Sequence, residues 1–262
     1  MNGITKILLR KFGASLTLML MISLQVTTLQ AQNNKDLPFK IGERLNFKIY
    51  FEFVLGGEAR MEVEAVETVN GYPCLRIVSE AKSTRTVDNF YKVRDKIITW
   101  RDVESGYSRK YVKVTREGKY KDDKKVEYFP EVNRVALTRK ADALPEMLIL
   151  DKPVHDVLAA FYQVRLYDLE VGKPVFIDMH DIDKQYPLEV RVHRKERIEV
   201  PAGTFDCVVV EPLLQSSGIF RKEGSLQIWL TDDEFHMPIQ MQSQLYFGRV
   251  WAKSTEFKRG GE

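Results

Sequence analysis

The chain has 262 residues, with 40 Lys and Arg against 37 Asp and Glu, a formal net charge of +3. Three of its basic residues, Lys6, Arg10 and Lys11, fall in the first 31 positions, which hold no acidic residue; the remainder is electrically balanced. That balance argues against a general nucleic-acid binder, which keeps a strong positive excess.

Residues 1–31 have the order of a secretory signal: a basic start, an apolar run from Phe12 to Val26, and Leu29-Gln30-Ala31 as the cleavage site. The apolar run is shorter than the ~20 residues needed to span a bilayer. The sequence therefore predicts export, to the periplasm or beyond, with residues 32–262 forming one β-rich domain. No second apolar segment predicts a stable membrane span in it.

Period-two alternation dominates after the leader. Leu45, Phe47, Ile49, Phe51 and Phe53 alternate with polar residues, Gly56-Gly57 is the expected turn, and Ala59, Met61, Val63 and Ala65 continue the dry face. Asn70-Gly71 is a second hairpin signal. Further strands are predicted over 72–83, 91–101, 107–115, 124–128 and 134–139. A helix is predicted from Val154 to Leu166, with Pro153 in its first turn and Val154, Val157, Leu158, Phe161 and Arg165 along one stripe. The β pattern resumes over 174–179, 188–192, 204–211, 226–230, 239–247 and 249–257. The fold class is thus mainly β: a strongly curved antiparallel sheet or partial barrel of about a dozen strands, one main helix packed on its concave face.

Chemistry is sparse. The sequence has no G-x-S-x-G, no H-E-x-x-H and no phosphate-binding glycine loop. Asp178 and His180, with Asp181 and Asp183 beside them, are the densest ligand-type cluster; they are weak metal candidates because a zinc site needs further convergent ligands. His155-Asp156 is adjacent on the helix and points two ways. The basic stretch from Lys110 to Lys125 reads as a solvated hairpin face broken by Glu117, Asp122 and Asp123. Cys74 and Cys207 are either bridged or separate buried thiols. Trp229 and Trp251 sit opposite the aliphatic residues of their strands and need a cover. With Tyr162 and Arg165 of the helix they are the candidate ligand contacts. No cofactor is expected.

Several blocks in order resemble an exported bacterial family of unknown function, DUF3108: Phe39–Leu45, the helix around Asp156–Arg165, Val171-Gly172, Val200–Pro212, Ile228–Asp233 and Pro238–Met241. That resemblance carries no activity and so no catalytic residue. A looser fold analogy is to the half-barrel lipoprotein carriers of the bacterial envelope. The resulting expectation is a non-enzymatic protein that binds an apolar or amphipathic envelope component: a lipid, an acyl chain or a glycolipid. An envelope hydrolase acting on glycan or peptide and a structural adaptor are the alternatives.

Overall fold

A computed structural model describes residues 37–261, except 141–142, 216–224 and 246–247. The leader therefore lies outside the described residues, as do Tyr246 and Phe247. Pro38–Glu262 forms one compact unit. Among the described residues there are fourteen strands in a single antiparallel sheet. Two meanders build it. The first is β1 (Arg44–Phe51), β2 (Val54–Val69), β3 (Tyr72–Ser83), β4 (Arg94–Asp102), β5 (Ser108–Glu117), β6 (Tyr120–Phe129), β7 (Arg134–Thr138) and β8 (Glu146–Ile149). The second is β9 (Val175–Asp181), β10 (Lys184–Val200), β11 (Gly203–Pro212), β12 (Leu226–Thr231), β13 (Pro238–Leu245) and β14 (Gly248–Lys258). The pairing of β1 with β14 joins the meanders, which leaves β8 and β9 at opposite ends of the ladder.

Those two strands are neighbours in the chain, so the segment between them must cross from one sheet edge to the other. It does so on the inner face and carries the main helix there. A short helix, α1 (Arg85–Asp88), precedes β4; the main helix is α2 (Val157–Gln163), continued by a 3-10 turn over Val164–Leu166. The helix is shorter than its periodicity predicts. Asp156 is its N-cap, accepting from the backbone N–H of Leu158 and Ala159 at 3.0 Å each, so Pro153–His155 stay extended. His155 instead pairs with β9: its N–H donates to the Asp178 carbonyl and its carbonyl accepts from His180. The Val154 carbonyl accepts from Ser108 of β5, so this short stretch ties the edge strand β9 to β5 of the first meander.

The first hairpin also turns earlier than expected. Glu52 takes the left-handed conformation at φ 51°, while Gly56 and Gly57 lie inside β2. Gly57 is needed for a close approach, since a Cβ there would meet the Lys82 carbonyl oxygen at 2.6 Å. Asn70-Gly71 turns as predicted, both residues with positive φ.

Alternation sorts the side chains into two cores. One packs Ala160 and Val164 against inward residues of β9–β12, among them Met179, Val190, Val208 and Leu230. The other gathers Tyr111, Val126, Tyr128 and Leu137 of β5–β7 with Leu150, Val154 and Ile182. Each fully buried Leu, Val or Phe contributes about 1.5–3 kcal/mol.

A buried ion pair locks the helix end to both meanders. Arg165 Nη1 and Nη2 bind Glu43 Oε1 and Oε2 at 2.7 and 2.9 Å, and both side chains are out of solvent. Its remaining donors reach the carbonyls of Phe235 at 3.1 Å and Pro38 at 3.2 Å. Removing one partner leaves a buried charge uncompensated, so Glu43→Gln is expected to cost about 3–5 kcal/mol. Urea denaturation measures this. The double variant Glu43→Leu/Arg165→Met should be markedly more stable than Glu43→Gln; equal losses would show that the pair is not coupled.

Candidate ligand-binding site

The inner face between α2 and β9–β12 contains a crevice of about 70 Å³ whose every lining side chain is apolar. Val157, Ala160, Phe161 and Val164 form its helix wall, spaced at i, i+3, i+4 and i+7. Leu188, Val190 and Val210 form the sheet wall. Pro212, Leu214 and Leu226 stand at its mouth, where the crevice meets an outer groove of about 430 Å³ that also touches Phe176, Pro187 and Glu189.

Tyr162 and Arg165 lie on the other side of the helix from this crevice, and both are buried. Arg165 is consumed by Glu43. The Tyr162 ring meets Phe39 edge-on at 4.9 Å, and its hydroxyl has no hydrogen-bond partner among the described residues. Burial, with the Glu43 charge nearby, pushes that hydroxyl well above the usual tyrosine range.

Trp229 and Trp251 do not join them. The inward residues of β12 are Ile228 and Leu230, which pack in the helix-side core, so Trp229 points to the outer face. Its cover is charged: Nε1 donates to Glu196 Oε1 at 2.5 Å and the Arg194 guanidinium lies 5.9 Å from its ring. Trp251 stacks obliquely at 6.1 Å and is flanked by Arg249 and Lys253. The cover those tryptophans require is thus supplied by the protein's own cations and Glu196. The four candidate contacts are split between the two faces of the sheet.

Asp178 and His180 share one face of β9 but have different partners. Asp178 binds Lys152 at 2.8 Å; His180 is buried, with Nδ1 3.2 Å from the Tyr128 hydroxyl. No group of three or more metal-ligating side chains occurs among the described residues. Asp156 is fully enclosed. Its carboxylate takes the hydroxyls of Thr99 and Ser108, the latter at 2.5 Å, besides the two helix N–H groups. Burial holds its carboxyl above the ordinary range against the pull of those donors.

Cys74 and Cys207 are free and buried, on β3 and β11, so the bridge weighed from the sequence is not formed. Burial pushes their thiols up to about 11 and about 12, which keeps them protonated and unreactive. His193 has a partner the sequence did not reveal, Glu211 at 2.7 Å across the β10–β11 ladder. Three cations of the basic stretch are paired within its own hairpin: Arg116 with Asp123, Lys124 with Asp122 and Lys125 with Glu127. Sequence reading also missed Glu43; its one signal is a carboxylate placed directly before the first alternating run.

The fold and site define a class: a rolled, single-sheet β protein whose own crossing helix occupies the hollow. The family model described as "Protein of unknown function (DUF3108)" matches residues 46–254, and the chain belongs to that family. No curated protein matches it. It is similar to a solved β-barrel-like protein of domain of unknown function DUF1849 from Brucella abortus, at 9% identity and TM-score 0.54, covering 86% of this chain and 100% of that one. A candidate lipoprotein from Parabacteroides distasonis matches at 13% identity and TM-score 0.37, over 85% of this chain and 98% of that one. A candidate exported protein with a YmcC-like fold from Bacteroides fragilis matches at 9% and 0.32, over 85% and 98%.

Burial sets the pH response of this region. His155 and His180 are held down to about 4 against an ordinary 6.5. The unfolded chain then binds protons below pH 6.5 that the folded one refuses, so stability present above that pH is lost as pH falls toward 4. The expected loss is about 2 kcal/mol per histidine between about pH 7 and pH 5. Urea denaturation across that range should show it, and His180→Phe should flatten the dependence by about half. A stability independent of pH in that range would contradict the assignment.

Proposed function

We propose that the protein is exported and acts by binding an apolar or amphipathic component of the cell envelope, without catalysis. The observation that carries the reading is the wholly apolar crevice between α2 and the sheet, opening at Pro212, Leu214 and Leu226 onto a groove. Its size restricts the ligand. A dry cavity of about 150 Å³ holds a benzene ring, and this one is about half that. Only the end of an acyl chain enters; the rest of the molecule lies along the groove, where Glu189 and Glu211 supply polar contacts. The leader order of residues 1–31 supports the compartment.

Mass spectrometry of organic extracts from the purified protein, with a titration of the fluorescent apolar probe N-phenyl-1-naphthylamine, tests the reading. The expected result is a co-purifying amphiphile and saturable probe binding, weakened at least about tenfold by Leu226→Arg at the mouth. The absence of both a co-purifying amphiphile and saturable probe binding would overturn it.

A further inference from the structure

One end of the sheet carries a rim of exposed aromatic and cationic side chains that the crevice does not use. Phe53 stands 90% exposed at the β1–β2 turn and Phe90 88% exposed after α1, with Tyr91 beside it and Tyr120 at the β5–β6 turn, both about half exposed. Three separate connections thus place aromatic rings outermost at the same end. They are held side by side: Thr84 N–H donates to the Gly56 carbonyl at 2.9 Å and Gly118 N–H to the Lys92 carbonyl at 2.8 Å. A Cβ on Gly118 would meet the Tyr91 ring at about 3.0 Å, so that glycine lets the second and third tips pack closely.

The charges between the rings are mostly positive. Asp88 is bound by Arg94 and Glu52 by Arg249, while Glu117 takes the Tyr91 hydroxyl. Arg85, Lys92, Lys119 and Lys121 are exposed and have no ion-pair partner among the described residues. Protein–protein interfaces are depleted in Lys and bury a continuous patch; here the rings project as separate points with long cations between them. Aromatic rings at headgroup depth and Lys or Arg side chains reaching to anionic headgroups suit a bilayer surface instead.

We infer that this rim docks the protein on an anionic lipid surface, inserting Phe53 and Phe90 at headgroup depth while Lys92 and Lys119 meet the lipid charge. The inference is independent of the crevice. Vesicle flotation tests it, using the chain from Gln32, which contains the whole compact unit Pro38–Glu262. With vesicles of phosphatidylglycerol and phosphatidylcholine the protein is expected to float, and to float at least about tenfold less with phosphatidylcholine alone or in high salt. Phe53→Ser/Phe90→Ser and Lys92→Glu/Lys119→Glu should each reduce binding about tenfold. Both change exposed side chains, and unchanged melting temperatures verify that they fold. Failure of the parent protein to float, or flotation of the Phe53→Ser/Phe90→Ser variant at the parent level, would overturn the inference, and the rim would then be free for a protein partner.

Discussion

A guanidinium sealed from water needs a counter-charge and acceptors for its N–H groups, and Arg165 finds both in places distant along the chain. Glu43 precedes the first strand, Pro38 lies further upstream, and the Phe235 carbonyl belongs to the β12–β13 connection. His236 closes the arrangement by donating from Nδ1 to the Arg165 carbonyl at 3.1 Å. The helix end is thereby fixed to the start of the first meander and to the second meander at once. Two apolar residues of similar volume would hold such a junction with equal or greater stability. What the ion pair adds is definition: a guanidinium fork accepts one carboxylate geometry, whereas an apolar contact tolerates sliding. Phe39, whose ring lies 5.2 Å from the Arg165 guanidinium and 4.9 Å from Tyr162, fills the remaining space.

The strand order makes that junction necessary. Each strand pairs with its chain neighbours except at β1–β14, where the two meanders meet, and at β8 and β9, which end the ladder. A connection from β8 to β9 has to cross the sheet, and on the inner face it occupies the space that an open half-barrel would offer a ligand. Asp156 anchors one end of the crossing to Thr99 and Ser108 of the first meander; Arg165 anchors the other. What is left of the hollow is a narrow crevice on the β9–β12 side. The constraint that makes the fold unique also limits what it holds.

Most of the fold was legible because one face of nearly every strand is dry. Alternation in Leu45, Phe47, Met61 and Val63 marks the inner face directly, and these residues are buried. The helix start was misjudged because apolar residues at helical spacing, Val154 among them, also serve an extended stretch that is dry on one side. Asp156 decides the boundary, because its carboxylate accepts from the N–H groups of Leu158 and Ala159 and caps the helix there. The final short strand of the first meander, Glu146–Ile149, was missed because it is largely exposed and carries no alternation in burial.

The site was less legible, and the tryptophans show why. Sequence correctly separates Trp229 from Ile228 and Leu230 by face, yet it cannot say what covers the outer face. The bulge between Val192 and Arg194 shifts the β10 register against β11, and Arg194 and Glu196 then lie within reach of the Trp229 ring and its N–H. An aromatic on a wet face signals a ligand only when its neighbours on adjoining strands are too short to shield it. Here they are an Arg and a Glu, long enough to cover the ring and polar enough to satisfy the indole. Phe53 and Phe90 meet the opposite condition. They stand at turns, where no adjoining strand extends past them, so nothing of the protein's own shields them. Among the aromatic residues described, Phe53 and Phe90 are the most exposed, ahead of Phe176 within β9 and Tyr120 at the start of β6.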